Sequence, residues 1–147
     1  MKVVMNETMR GWLELNDTRQ SEPFEFTIKI SLGKGPRLLA PQPFSGTVKL
    51  KGREFEGRVE GEITFQITGP RYELDFEFPE IGLVRVAGEK SYSISELKES
   101  LITCPLTVYQ KGEAIGYAEV RYEDPILTFP LKAFRIESDN GPILANQ

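Results

Sequence analysis

Arg58-Val-Glu-Gly-Glu-Ile-Thr-Phe-Gln-Ile-Thr68, the step Gly69-Pro70, and Arg71-Tyr-Glu-Leu-Asp-Phe-Glu-Phe78 decide the fold class. In the first run Val59, Gly61, Ile63, Phe65 and Ile67 alternate with charged or polar residues. In the second, Tyr72, Leu74, Phe76 and Phe78 alternate with Arg71, Glu73, Asp75 and Glu77. A period of two places every apolar side chain of a strand on one face of a sheet. The Gly-Pro step predicts a hairpin whose connection is not a simple two-residue primed turn, because proline fixes its own φ.

Upstream, Val3 to Leu15 reads as a first strand, with Gly11 marking a bulge or a close backbone approach. Phe24, Phe26, Ile28, Ile30 and Leu32 alternate with Glu25, Thr27, Lys29 and Ser31, a half-buried strand. Gly33-Lys-Gly-Pro-Arg37 breaks it; lacking the Gly-Lys-Ser/Thr ending of a phosphate loop, it reads as a turn. Pro41 and Pro43 predict an irregular stretch until Thr47 to Leu50 resumes the alternation.

Downstream, Leu83, Val84 and Val86 form a short strand. Ser93-Ile-Ser-Glu96 has the spacing of a capping box and opens a short helix through Leu101, the one helix expected. Strands follow over Ile102–Gln110, Ala114–Glu123 and Ile126–Ile136, joined by turns at Lys111-Gly-Glu113 and Glu123-Asp-Pro125. Asp139-Asn-Gly141 is a turn in a loose tail over 138–147. Eight or nine strands in sequential antiparallel order predict one all-β domain over 1–137. Such strands close most naturally into an up-and-down barrel, which removes exposed edges; a sandwich is the competing arrangement.

At 147 residues the chain is long enough to bury a core without disulfides. A net charge of -4 with scattered lysines and arginines argues against nucleic-acid binding, which draws on phosphate neutralisation. The single cysteine, Cys104, fits a reducing compartment, and no histidine is present to activate it, so a buried inert thiol is expected. Met1 to Met5 is too short for the apolar core of a signal peptide and no run is long enough to span a membrane, so a cytoplasmic location is expected. The lack of histidine also removes Ser-His-Asp and Cys-His catalysis and the usual zinc sites. No catalytic or metal-binding residue is assigned, and no cofactor is expected. Glu60, Glu62, Glu73, Asp75 and Glu77 read as a solvated outer face, with Lys49, Lys51 and Arg58 offsetting their repulsion.

Five segments together carry a family resemblance: Asn6-Glu-Thr-Met-Arg-Gly11, Gly46-Thr-Val48, Tyr72-Glu-Leu-Asp-Phe76, Val86-Ala-Gly-Glu-Lys90 and Thr103-Cys-Pro-Leu-Thr-Val-Tyr109. In order and spacing the chain resembles the calycin-like (lipocalin-type) β-domain that accompanies some flavin-dependent glucose-methanol-choline oxidoreductases, the cholesterol-oxidase-like branch included. The resemblance implies a calycin/lipocalin-like barrel and a setting in lipid or steroid metabolism. It implies no redox activity here, because the chain has no Gly-x-Gly-x-x-Gly fingerprint for a flavin. Trp12 with Arg121 or Arg135 resembles the Trp–Arg closure of lipocalin-type barrels, although Gly11 and Trp12 adjoin where that motif separates them by one residue.

Three functional expectations follow. The first is a non-enzymatic barrel that binds an apolar small molecule, lipid or sterol-like, on its own or as an accessory to a separate oxidoreductase. Phe65, Ile67, Tyr72, Leu74 and Phe76 would line its interior, with Tyr109 and Tyr117 as polar handles. The second is an isomerase or cyclase using a tyrosine and one inward carboxylate, for which Glu119 is the candidate. The third is an interaction module, a homodimer or a dock for a partner enzyme, using Tyr109, Tyr117, Tyr122, Phe129 and Phe134 on two-sided apolar strands.

Overall fold

Alternation of apolar and polar residues becomes strand along almost the whole described chain. The computed structural model describes residues 2–31, 39–66, 69–89, 103–122 and 134–137. Its strands are β1 (Lys2–Leu15), β2 (Ser21–Ser31), β3 (Pro41–Leu50), β4 (Phe55–Gln66), β5 (Gly69–Phe78), β6 (Gly82–Glu89), β7 (Thr103–Gln110), β8 (Glu113–Tyr122) and β9 (Phe134–Glu137). A single 3-10 turn, Lys51–Arg53, joins β3 to β4. Each of β1 to β7 pairs antiparallel with the next strand, and β8 returns to β1, so eight strands close into an up-and-down barrel. The barrel, not the sandwich, is the architecture, and it is compatible with a calycin-like fold. One edge of β1 is shared: Met9–Leu15 pair with β8 and Lys2–Met5 with β9.

The opening hairpin is present, with Ile63 opposite Tyr72 and Gly61 opposite Leu74. Its connection lies earlier than expected. Gly69 and Pro70 already belong to β5, facing Gln66 and Phe65, and only residues 67 and 68 intervene. Pro41 and Pro43 likewise sit inside β3 rather than in an irregular stretch. Both departures have one cause. Pairing of β3 with β2 reaches only Phe44, and pairing of β5 with β6 begins at Arg71. These prolines therefore lie where one strand edge is unpaired, and a missing N–H costs no ladder bond. The expected helix over 93–101, the turns at 33–37 and 123–125, and the tail over 138–147 lie outside the described residues.

Closure requires the strands to coil tightly, and glycine allows it. A Cβ on Gly11 would lie 1.8 Å from the Glu119 carbonyl oxygen of β8. On Gly61 it would lie 1.9 Å from the Glu73 carbonyl oxygen of β5. Both glycines occupy inward phases of their strands, where neighbouring backbone fills the space of a side chain.

The two ends of the barrel differ. At one, the strands are joined by residues 16–20, 51–54, 79–81 and 111–112. At the other, the connections are 32–40, 67–68, 90–102 and 123–133. The tight-turn half is packed with aromatic rings: Phe24 meets Phe26 at 5.9 Å and Phe76 at 6.3 Å, and Phe76 meets Phe78 at 6.0 Å. Arg53 covers this stack, 5.0 Å above the Phe78 ring. Its guanidinium donates from Nε to Glu22 Oε1 at 2.8 Å and from Nη2 to Oε2 at 3.0 Å. Among the described residues the arginine–aromatic plug is thus Arg53 with Phe78. Trp12 instead stands on the outer wall, and the side chain of Arg135 is not described. Replacing Arg53 by Lys keeps the charge but loses the planar fork and the stacking, so Arg53→Lys is expected to cost about 1 kcal/mol in denaturant unfolding.

Outside, charges interlock. Glu60 faces Asp75 and Glu62 faces Glu73 across β4 and β5, an arrangement that repels unless cations intervene. Arg85 binds Asp75 at 2.8 Å and Glu73 at 3.1 Å, Arg71 binds Glu73 at 3.3 Å, and Arg58 binds Glu60 at 2.9 Å. Lys49 pairs instead with Glu56 at 3.4 Å and Lys51 with Glu25 at 2.8 Å. An apolar lumen behind a charged wall is the reverse of a membrane-spanning barrel.

Among the described residues Glu25 is the outer-wall carboxylate most enclosed by its partners, its side chain 8% exposed between Lys51 and Arg10. The hydrogen bond from Lys51 holds its pKa below the ordinary value, burial opposes this, and Arg10 adds to the lowering. A carboxyl whose folded pKa is depressed stabilises the fold above its unfolded pKa and loses that contribution as pH falls through the folded value. Wild type is therefore expected to lose its stability advantage over Glu25→Gln as the pH drops below about 4.5, measured by denaturant midpoints across an acid series.

Candidate functional site

β1 carries Glu7, Met9, Leu13 and Leu15 in one phase, and all four are buried. Three are apolar, so alternation turns the Glu7 carboxylate into the lumen with them. β5 turns Tyr72 inward in phase with Leu74 and Phe76. In a closed barrel of eight strands, β1 and β5 are four strands apart either way round, on opposite walls. The Tyr72 hydroxyl reaches across to Glu7 and lies 2.8 Å from both carboxylate oxygens. Glu7 is 2% exposed and Tyr72 1%. The pair is a hydrogen-bonded crossbar through the lumen.

Gln42 is the third buried polar residue facing inward, in phase with Phe44, Val48 and Leu50 on β3. Its Nε2 donates to the Ala40 carbonyl at 3.2 Å. A carbonyl only accepts, so the amide nitrogen must face it, which leaves the amide oxygen and the second N–H for other partners. Glu7, Tyr72 and Gln42 all lie toward the strand ends served by the long connections. The lumen is therefore polarised: an aromatic, plugged half at the tight turns and a half with polar groups at the long connections.

Of the residues expected to line a binding site, Tyr72, Leu74 and Phe76 come together in the lumen and are fully buried. Phe65 is partly buried and packs against the same core. Ile67 lies outside the described residues. The two expected tyrosine handles are elsewhere. Tyr117 stands on the outer wall, 54% exposed, because Gly116 and Ala118 take the inward phase of β8. Tyr109 follows inward Val108 and lines an outer hollow of about 570 Å³ with Leu83, Arg85 and Lys111. A second outer hollow, about 550 Å³, opens between Lys29, Glu62, Asp75 and Arg85.

Glu119 does not point inward. It sits between buried Ala118 and Val120 on the outward phase of β8, so among the described residues the inward carboxylate is Glu7. The signal for Glu7 was in the sequence: it shares the parity of Met9, Leu13 and Leu15, and Gln42 shares that of Phe44, Val48 and Leu50. Cys104 is buried, as expected, and in no disulfide, with its thiol 3.8 Å from the Pro105 carbonyl oxygen.

Chemically, the crossbar offers a carboxylate and a phenol in apolar surroundings, a pair able to accept a hydrogen bond or to exchange a proton. Comparison of the chain with protein-family models, with curated proteins and with solved structures finds no match in any of the three.

Proposed function

We propose that this barrel binds a small, largely apolar molecule in the half of its lumen toward the long connections, with Glu7 and Tyr72 as the polar contact. The observation that carries this reading is the Glu7–Tyr72 bond across a lumen whose other buried side chains, among the described residues and Gln42 apart, are apolar. For stability alone such a pair is a poor choice, since well-packed apolar residues of similar volume commonly do as well or better. Buried polar groups converging in an apolar setting are instead what a ligand site uses to fix orientation. Aromatic rings and Arg53 occupy the tight-turn half, which favours the polar half as the ligand's place. The resemblance to calycin-like domains of glucose-methanol-choline oxidoreductases supports a lipid or sterol-like ligand and an accessory role beside such an enzyme.

Native mass spectrometry of freshly purified protein, followed by organic extraction, tests the reading. A stoichiometric apolar adduct is expected, or saturable binding of the neutral probe N-phenyl-naphthylamine by protein that has lost its ligand. Clean apo protein that also ignores the probe would contradict it.

The same pair supports a second reading, an isomerase in which Glu7 moves a proton between carbons beside a carbonyl while Tyr72 hydrogen-bonds the carbonyl oxygen. Such an enzyme exchanges the α-protons of a bound cyclic ketone with deuterated water, followed by NMR, and loses this exchange in Glu7→Gln. No exchange above the Glu7→Gln level would dispose of it.

A further inference from the structure

Exposed aromatic side chains of the outer wall gather where β1 meets β8: Trp12 is 39% exposed and Tyr117 54%. On the outward phase β1 carries Arg10, Trp12 and Glu14, and β8 carries Tyr117, Glu119 and Arg121. Their antiparallel register makes three rows, Arg10 with Arg121, Trp12 with Glu119, and Glu14 with Tyr117. The middle row runs on into Pro23 of β2 and Pro105 of β7, both exposed. The first row is cationic, the second largely apolar, and the third carries a carboxylate and a phenol. Arg10 and Arg121 repel each other across the ladder unless carboxylates come near. Glu25 lies 3.3 Å from Arg10, whose side chain nevertheless stays 47% exposed. Glu14 accepts a hydrogen bond from Ser21 Oγ at 3.1 Å and, among the described residues, forms no ion pair.

We propose that this face binds a second copy of the chain, about a two-fold axis that lies in the interface and crosses the strands at Trp12. Such an axis reverses the strand direction, so the first row of one copy lies on the third row of the other. Arg10 then meets Glu14 of the second copy, about 13 Å along β1 from its own Glu14. A guanidinium has five N–H donors, so Arg10 can hold Glu25 and a second carboxylate together. Arg121 meets the ring of Tyr117 of the second copy, and the two indoles meet at the axis. The charge order selects this axis. An axis running along the strands would lay the arginine row on the arginine row, which repels. Both faces are convex walls of a barrel, so the contact is small and the dimer reversible rather than obligate. The face is remote from the lumen, and the dimer does not depend on what the lumen binds.

Trp12 is the chain's one tryptophan, so its fluorescence reports on this face directly. Sedimentation velocity of the full chain from about 1 µM to about 1 mM is expected to show monomer passing to dimer. Over the same range the Trp12 emission should move to shorter wavelength as the indole leaves water. Glu14→Lys, which lays a lysine on Arg10 of the second copy, should weaken association at least about tenfold. Tyr117→Ser should weaken it as well, and it serves alone should Glu14→Lys fail to fold. Leu83→Ser is the control: its side chain is 62% exposed on β6, away from this face, and association should stay within about twofold of wild type. Monomer at every concentration overturns the inference. So does a dimer that leaves the Trp12 emission unchanged, or one that neither Glu14→Lys nor Tyr117→Ser weakens, because association then uses another face.

Discussion

Gly61→Ala is expected to lower the unfolding free energy by about 3 kcal/mol or more. The new methyl group would lie 1.9 Å from the Glu73 carbonyl oxygen and 2.8 Å from the Phe44 ring. Backbone cannot rotate aside as a flexible side chain would. Relief therefore demands that β4 and β5 separate, which strains the hydrogen-bonded ladder where Gly61 faces Leu74. Gly52→Ala is the control. Its methyl group meets only Pro23 Cδ at 3.6 Å and Glu22 Cβ at 4.0 Å, ordinary van der Waals distances. That substitution should stay within about 0.5 kcal/mol of wild type or stabilise slightly through the unfolded chain. Equal denaturant midpoints for the two variants would mean that the strands are not held at the spacing described.

Tyr72→Phe should be the second large effect, a loss of about 2–3 kcal/mol, because it removes a hydrogen bond to a buried carboxylate and leaves that carboxylate behind. Glu7→Met combined with Tyr72→Phe replaces the crossbar by two apolar side chains of similar size. Most of the loss should then return, since removing both partners of a buried polar pair is far cheaper than removing one. The contrast separates two reasons for the pair to exist. A double variant as stable as wild type, yet deficient in ligand binding, assigns the crossbar to function. A double variant that remains as damaged as Tyr72→Phe assigns it to the fold.

The barrel was legible in the sequence because alternation is local: each strand reports its own inward phase through Phe24, Phe26, Ile28 and Ile30 or Tyr72, Leu74 and Phe76. Strand limits at Pro41, Pro43 and Pro70 were harder, because whether a proline breaks a strand depends on which edges its neighbours occupy. The positions of the candidate site's residues were legible only in part. The inward position of Tyr72 followed from its parity, whereas Tyr109 and Tyr117 were chosen by chemistry and lie on the outer wall. Glu7 was passed over although its phase is that of Met9 and Leu13, since a lone Glu among apolar residues reads as surface until its strand parity is followed. That Glu7 meets Tyr72 is a property of closure. Two strands 65 residues apart in the chain face each other only once the barrel is formed.

Chemical-shift mapping of isotope-labelled protein during titration with N-phenyl-naphthylamine tests the central claim most directly. Binding at the crossbar predicts saturable shifts centred on Glu7, Gln42, Tyr72 and Ile63, with little change at Leu13, Phe24 and Phe78 in the plugged half. Shifts centred instead on Leu83, Tyr109 and Tyr117 of the outer wall, or no saturable shifts at all, would contradict it.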